Sequence, residues 1–169
     1  AATGAGKGEI SLAKEQLPDF VCLARGINHL LPSAQMVLDI GALRSLAVKC
    51  QGGIALNVAY SDKCASGTGR FLEVVAKILN VELEKSGDLS LQSTLPVEVT
   101  SSCAVFAESE VVSLVHARNK PQDILRGVYR GLALRLYSLL INAGFNKQTT
   151  PLAMAGGVAR NIGVVKAIE

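Results

Sequence analysis

Apolar residues recur at helical spacing in five stretches of the chain. In the stretch 68–80 they stand at i, i+3, i+4 and i+7, which predicts one apolar face of a helix. These residues are Phe71, Val74, Val75 and Ile78. The longest helix is predicted over 121–143, because Pro121 suits a first helical position and Gly144 suits a C-terminal cap. The same spacing predicts helices over about 18–31, 103–118 and 160–169.

Shorter apolar runs predict β-strands between these helices. They cover residues 36–40, 46–50, 54–59 and 151–155. Gly52 and Gly53 separate the second run from the third, and a Gly-Gly pair between two such runs predicts a hairpin turn. Helices and strands therefore follow each other in the order of an α/β protein, in which ligands approach the ends of the strands.

One stretch, 81–101, shows neither period clearly. It contains Gly87, Pro96 and several serines, all of which favour loops. We therefore predict a connection here, with one short strand over 97–100.

Composition narrows the class of protein further. The chain has 169 residues, of which 49% are hydrophobic and 18% charged, so it can bury a core and is not intrinsically disordered. A net charge of +3 with 4% aromatic residues gives little support to nucleic-acid binding. No apolar run reaches the ~18 residues of a membrane span. Four cysteines without a secretory signal suit a reducing compartment, so we expect a cytoplasmic protein with no membrane and no nucleic-acid partner.

Two glycine turns follow predicted strands and are candidates for ligand binding. Asp39 ends an apolar strand and precedes Gly41, so a carboxylate stands beside a turn whose backbone a ligand can approach. Such an aspartate commonly orients Mg²⁺ or a water molecule next to nucleotide phosphates. Gly156 and Gly157 form the second turn, before a helix start. Either turn alone is weak evidence, but both together favour a nucleotide cleft.

Two cysteines stand at predicted helix starts. The positive end of a helix dipole lowers the pKa of a thiol and favours anionic groups, which describes the setting of both Cys64 and Cys103. Two thiolates do not complete a four-thiolate metal site, whereas a matching pair on a second subunit completes one. We therefore consider a soft-metal site shared between chains, against the alternative of two small packing residues. For Cys22 and Cys50 a packing role is expected.

These motifs, in this order, resemble the BadF/BadG/BcrA/BcrD ATPase family. The matching segments are residues 3–6, 38–41, 63–71, 103–110 and 156–163. The resemblance implies the actin/Hsp70/sugar-kinase type of α/β fold, which is ribonuclease H-like. It also implies a single ATPase-family region over 1–169, with approximate lobes 1–60 and 61–169. The family has sequence before and after the matched region, so we expect this fold to be incomplete at both ends.

The resemblance also implies cofactors, partners and site residues. Cys64 and Cys103 would be the two ligands that this subunit supplies to a [4Fe–4S] cluster shared with a second, homologous ATPase subunit. ATP with Mg²⁺ would bind near Asp39 and Gly41 and near the Gly156–Gly157 turn. The implied activity couples ATP hydrolysis to low-potential electron transfer, from a ferredoxin-like donor into reductase or dehydratase subunits. ATP binding would change the angle between the helices that point at the cluster.

The residues after Gly41 depart from the pattern of the activators in this family. Those activators continue with Gly-Gln-Asp and then a Ser or Thr before Lys, whereas residues 42–46 here are Ala-Leu-Arg-Ser-Leu. This version resembles the second ATPase-type subunit of benzoyl-CoA reductases, the BcrD/BadG branch. We therefore expect an electron-transfer subunit of a benzoyl-CoA-reductase-like enzyme in a heteromeric pair. The alternatives are a homodimeric activator of a 2-hydroxyacyl-CoA dehydratase and a non-catalytic regulatory or interaction module of the same fold.

Overall fold

A four-stranded mixed sheet lies at the centre of the fold. The computed structural model describes residues 1–4, 6–61, 69–99, 104–146 and 151–169. The strands are β1 (Met36–Ile40), β2 (Ser45–Gln51), β3 (Ile54–Tyr60) and β4 (Leu152–Ala155), in the order β3-β2-β1-β4. Strand β2 is antiparallel to both of its neighbours, while β4 runs parallel to β1. All four strands predicted over 36–40, 46–50, 54–59 and 151–155 are confirmed.

Six α-helices within the described ranges surround the sheet. They are α1 (Asp19–Leu30), α2 (Gly69–Ile78), α3 (Leu83–Leu91), α4 (Ala104–His116), α5 (Pro121–Asn142) and α6 (Ile162–Ile168). Short 3-10 helices span Lys7–Glu9 and Gly157–Arg160. The predicted helices correspond to α1, α2, α4, α5 and α6. Gly144 follows α5 with φ +87°, the left-handed conformation that ends helices readily.

The two faces of the sheet pack against different helices because side chains alternate along each strand. Met36, Leu38 and Ile40 of β1 join the larger core, which α2, α4 and α5 complete. Val37 points the other way, into a smaller core with Ala24 and other residues of α1. Helix α5 is the main element of the larger core, since most of its apolar side chains are buried.

Helix α3 stands where the sequence predicts a connection, and that prediction is wrong. The helix buries its small residues, Ser86, Gly87 and Ser90, against the rest of the fold. Small inward residues leave no apolar stripe for a periodicity argument to find. The hydroxyls of Ser86 and Ser90 donate to carbonyls of the same helix, at Leu83 and Gly87, which satisfies them in a buried place.

The segment that follows α3 packs on α5 instead of joining the sheet. The structure assigns no strand to residues 97–99, the described part of the strand predicted over 97–100, so this prediction is also wrong. The Asp123 carboxylate accepts from the Ser93 hydroxyl over 2.8 Å and from the Leu95 amide over 3.3 Å. A Cβ on Gly127 would lie 2.1 Å from the Val97 carbonyl oxygen. The absent side chain therefore provides the groove in which this segment lies.

Candidate functional site

The first glycine turn joins β1 to β2, and its backbone carbonyls bind the first amides of α2. The Gly41 amide donates to the Arg44 carbonyl over 3.0 Å, which closes the turn. The Gly41 carbonyl accepts from the Gly69 amide over 2.9 Å, and the Ala42 carbonyl accepts from the Arg70 amide over 2.9 Å. A Cβ on Gly41 would lie 2.9 Å from the Arg44 oxygen, so glycine suits this position. The N-terminus of α2 is thus bonded directly to the turn.

Arg44 also attaches the outer side of this turn to α1. Its guanidinium pairs with the Asp19 carboxylate and lies 5.5 Å from the centre of the Tyr60 ring. The Tyr60 hydroxyl donates to the same carboxylate over 3.0 Å. The cluster is solvent-exposed, so we attribute orientation of the turn to it and only a small share of the stability.

The second glycine turn follows β4 and lies against the end of β1. Gly156 adopts φ +84°, and a Cβ there would lie 2.4 Å from the Ile40 carbonyl oxygen and 2.6 Å from Asp39 Oδ1. At Gly157 a Cβ would meet no atom within 4 Å, so this residue leaves open space beside the backbone. The two glycines therefore differ: the first permits close packing of the strand ends, and the second leaves room for a ligand.

The two turns meet at a cleft of about 470 Å³. It is lined by Gly41, Ala42, Gly69, Leu72, Glu73, Leu83, Glu84, Gly157, Val158, Arg160 and Asn161. This volume suits a small organic ligand or nucleotide. The lining carries both charge signs: Arg160 is basic, Glu84 is acidic, and Glu73 pairs with Arg70 over 2.7 Å. The structure thus brings together Gly41 and Gly157, two of the candidates that the sequence indicates.

Asp39 and Gly156 adjoin each other at the strand ends but are not among the residues that line this cleft. The Asp39 side chain is half-buried, and burial raises its pKa above the ordinary value of an aspartate. A carboxyl group with a raised pKa beside a ligand cleft is a candidate for chemistry.

Several residues that line the cleft are not indicated by the sequence pattern. Leu83 and Glu84 begin α3, a helix that this pattern does not predict. Leu72 and Glu73 lie on α2, whose apolar face the sequence predicts but whose position against the glycine turns it does not. No pattern in the sequence places α2 and α3 beside the same turn, because that contact depends on tertiary packing.

The predicted metal ligands Cys64 and Cys103 lie outside the described residues. The other two cysteines are free thiols. Cys22 is half-buried on α1, while Cys50 is buried and donates to the Ala34 carbonyl over 3.6 Å. Burial raises the pKa of the Cys50 thiol, which makes it a poor metal ligand. Both observations agree with packing roles.

The described ranges contain neither a clustered metal site nor a membrane span. Within them, no group of three or more His, Cys, Asp or Glu side chains is arranged to hold a metal ion. Among the helices of the same ranges, none combines the length and the apolar character needed to cross a bilayer.

A mixed sheet with two glycine turns at one cleft defines an α/β protein of the actin/Hsp70-like ATPase class. The chain belongs to the BadF/BadG/BcrA/BcrD ATPase family, whose model matches residues 1–169. The family resemblance seen in the sequence and the fold expected from it are both confirmed.

Solved structures of related proteins have the same fold. The chain is similar to the crystal structure of (R)-2-hydroxyglutaryl-CoA dehydratase component A from Acidaminococcus fermentans, with a TM-score of 0.92 and 38% identity, over 99% of this chain and 64% of that one. It is also similar to the activator of 2-hydroxyisocaproyl-CoA dehydratase from Clostridium difficile with bound ADPNP. That match has a TM-score of 0.90 and 40% identity, over 98% of this chain and 61% of the other.

A more distant relative represents the other branch of the family. It is a component of the benzoyl-CoA reductase of Thauera aromatica, 36% identical over 147 residues, which are 86% of this chain and 51% of that protein. The chain spans less than two thirds of the length of the activators it matches. The higher identity and coverage with the dehydratase activators favour the alternative of a dehydratase activator over the benzoyl-CoA reductase assignment expected from residues 42–46.

Proposed function

We propose that this chain forms the nucleotide-binding and cluster-binding region of an ATP-dependent activator of a 2-hydroxyacyl-CoA dehydratase. The observation that carries the proposal is the convergence of the Gly41 and Gly157 turns on one cleft. Relatives of this chain with 38 to 40% identity are named as dehydratase activators, and one activator was solved with bound ADPNP. A cytoplasmic location belongs to the same proposal, since Cys22 and Cys50 are free thiols.

In this proposal the cleft binds ATP with Mg²⁺. Gly157 leaves the space that a nucleotide fills, and Arg160 supplies a positive charge at the cleft wall for phosphate. Asp39, at the end of β1 beside Gly156, would supply the carboxylate that binds a water molecule of the magnesium shell. The residues present fit the nucleotide in volume and in the chemistry of their side chains.

Cys64 and Cys103 would hold half of a [4Fe–4S] cluster, and the same residues of a second copy would hold the other half. Two thiols at predicted helix starts suit this donor set, because cysteine thiolates are the usual ligands of such clusters. The cluster supplies one-electron transfer at low potential when bound. A ferredoxin-like donor would reduce it, and a dehydratase would accept the electron.

In this proposal, a nucleotide in the cleft would act on the cluster ligands through the start of α2. Residues 62–68, which include Cys64, lead directly into α2. The first two amides of α2, at Gly69 and Arg70, donate to the carbonyls of Gly41 and Ala42 in the cleft turn. A nucleotide that shifts this turn therefore also shifts the start of α2, and with it the end of the segment that carries Cys64.

The proposal is tested on the full-length protein purified without oxygen. We expect about two irons and two sulfides per chain, since one [4Fe–4S] cluster would serve two subunits. The iron-loaded protein alone should run as a homodimer. It should also support reduction of a 2-hydroxyacyl-CoA dehydratase only when ATP and a low-potential reductant are present. Reduction at the same rate without ATP would refute the coupling.

A benzoyl-CoA-reductase-like subunit is the second candidate, because residues 42–46 lack the Gln and the Lys of the activator pattern. This candidate predicts a monomer that loads iron only when a different ATPase subunit is co-expressed. A non-catalytic module is the third, and it predicts cleft occupancy by nucleotide without turnover. Sizing and ATPase assays of the same preparation separate the three.

Replacing Asp39 with asparagine is expected to lower ATP turnover on the order of tenfold, because the amide keeps an oxygen for the magnesium shell but loses the charge.

The same Asp39→Asn change should raise the free energy of unfolding at neutral pH. The raised pKa of Asp39 means that the folded state holds the proton more tightly than the unfolded chain. The contribution of Asp39 to stability is therefore most favourable below the ordinary aspartate pKa and falls as pH rises through the folded-state pKa.

The measurements are steady-state ATPase rates and denaturant unfolding of both proteins across the acidic range. Asp88→Asn, an exposed carboxyl on α3, is the matched control and should change neither quantity. Unchanged turnover in Asp39→Asn would remove Asp39 from the nucleotide chemistry. A lower stability at neutral pH would contradict the effect ascribed to burial.

A further inference from the structure

A largely buried hydrogen-bond network joins α3, α5 and Asn161, the residue that caps α6. The Tyr129 hydroxyl of α5 donates to Ser86 Oγ of α3 over 2.7 Å. The side-chain amide of Asn161 donates to Ser86 Oγ over 3.2 Å and to the Tyr129 hydroxyl oxygen over 3.1 Å. Ser86 donates in turn to the Leu83 carbonyl over 2.5 Å. The three side chains therefore satisfy one another inside the protein.

The side chain of Asn161 uses all of its hydrogen-bond donors and acceptors within the protein. Its Oδ1 accepts from the amides of Gly163 and Val164, over 3.0 and 3.2 Å, which caps α6. Its two amide hydrogens are engaged by Ser86 and Tyr129. Although Asn161 lines the cleft, a ligand meets its side chain as a fixed part of the wall.

The network lies between two walls of the cleft. Leu83 and Glu84 contribute the wall that α3 forms, and Arg160 and Asn161 contribute the wall that the second glycine turn forms. Ser86, one helical turn after Leu83, is the point at which the walls are joined.

Two glycines allow α3 and α6 to approach closely enough for this contact. A Cβ on Gly87 would lie 2.7 Å from Asn161 Oδ1, and a Cβ on Gly163 would lie 2.5 Å from Ser90 Oγ. The separation of the walls is thus set by close packing around the network.

We propose that Tyr129 is a positioning residue for nucleotide binding, which holds α3 and the Gly157–Arg160 turn at the separation that the nucleotide requires. The inference rests on the proposed function of the cleft as an ATP site. Tyr129 is 1% exposed, so its hydroxyl acts through Ser86 and Asn161 and not by touching the ligand. Without that hydroxyl both partners lose a hydrogen bond in a buried place, and the walls shift to recover it.

The test compares two tyrosine-to-phenylalanine variants of the same helix in the full-length protein. Tyr129→Phe removes the network hydroxyl and keeps the ring. Tyr137→Phe is the matched control, because Tyr137 is 55% exposed on α5 and its edge contact with Phe145 needs only the ring. We expect Tyr129→Phe to weaken Mg-ADP binding, measured by titration calorimetry, about tenfold, and Tyr137→Phe to leave it unchanged.

If Tyr129 has a purely structural role, Tyr129→Phe will change the stability of the protein and nothing else. It would lower the melting temperature of the nucleotide-free protein and leave the Kd for Mg-ADP and the KM for ATP as in the wild type, which would overturn the proposal. If Tyr129→Phe does not fold, Ser86→Ala removes the acceptor of the same hydroxyl and is judged by the same Kd. A wild-type protein that fails to bind Mg-ADP would instead refute the cleft as the nucleotide site, and this inference with it.

Discussion

Replacing Gly156 with alanine is expected to lower the free energy of unfolding by about 3 kcal/mol. The new methyl group would overlap the backbone of β1, and the backbone cannot move to relieve this overlap. The Cβ would lie 2.4 Å from the Ile40 carbonyl oxygen and 2.7 Å from its carbon. Both are backbone atoms of β1, so neither can move without disturbing the sheet. The φ of +84° adds strain for any residue with a side chain.

Gly157→Ala is the matched control for this prediction. Its Cβ would meet nothing within 4 Å, and its φ lies outside the left-handed region. Its stability should stay within about 0.5 kcal/mol of the wild type, as for surface substitutions in general. Denaturant unfolding followed by circular dichroism measures both variants. Equal losses in the two would show that the contact with Ile40 is not the cause, and a wild-type stability in Gly156→Ala would contradict the geometry.

Changing Cys64 or Cys103 to serine is expected to abolish the bound iron. In the proposed homodimer each substitution acts in both subunits and so removes two of the four thiolates of the shared cluster. In a heteromeric pair the same substitution would remove only one. Serine is a much poorer ligand for iron–sulfur clusters than cysteine. The measurements are iron and sulfide content and visible absorbance after purification without oxygen.

Cys22→Ser is the control for the cysteine variants. Cys22 is a half-buried thiol on α1, and we expect this variant to keep the iron of the wild type. Cluster absorbance retained in Cys64→Ser or Cys103→Ser would overturn the ligand assignment. Loss of iron in Cys22→Ser as well would indicate that any cysteine substitution disturbs the protein.

Helix α3 could not be predicted from the apolar pattern of its own segment. Helix α5 buries mainly leucine, isoleucine and valine, so its period is visible in the sequence. Helix α3 instead buries Ser86, Gly87 and Ser90, residues that in isolation favour turns. The two hydroxyls donate to carbonyls within α3, and Tyr129 of α5 and Asn161 bind Ser86 as well. Gly87 and Gly163 allow α3 and α6 to approach closely. That information is in the neighbours and not in the segment itself.

The candidate site residues could be predicted from the sequence, but their arrangement around the cleft could not. Asp39, Gly41 and the Gly156–Gly157 turn are all recognisable as candidates, since an apolar strand followed by glycine is a local pattern. Their arrangement is not predictable in this way: Gly41 and Gly157 line the cleft, while Asp39 and Gly156 touch each other at the strand ends. Neighbouring parallel strands place their ends together, and the pairing of β4 with β1 is a long-range contact.

The amino-acid sequence by itself determined the four strands, five of the six described helices, the two glycine turns and the family. Those features depend on residues close together in the chain, through side-chain periodicity, proline and glycine conformation, and local motifs. Only the tertiary structure decided that α3 exists, that it forms a wall of the cleft beside the two glycine turns, and that Tyr129 joins this wall to Asn161. These contacts connect residues 32 to 75 positions apart, and only close packing of the folded chain brings such residues within hydrogen-bond distance.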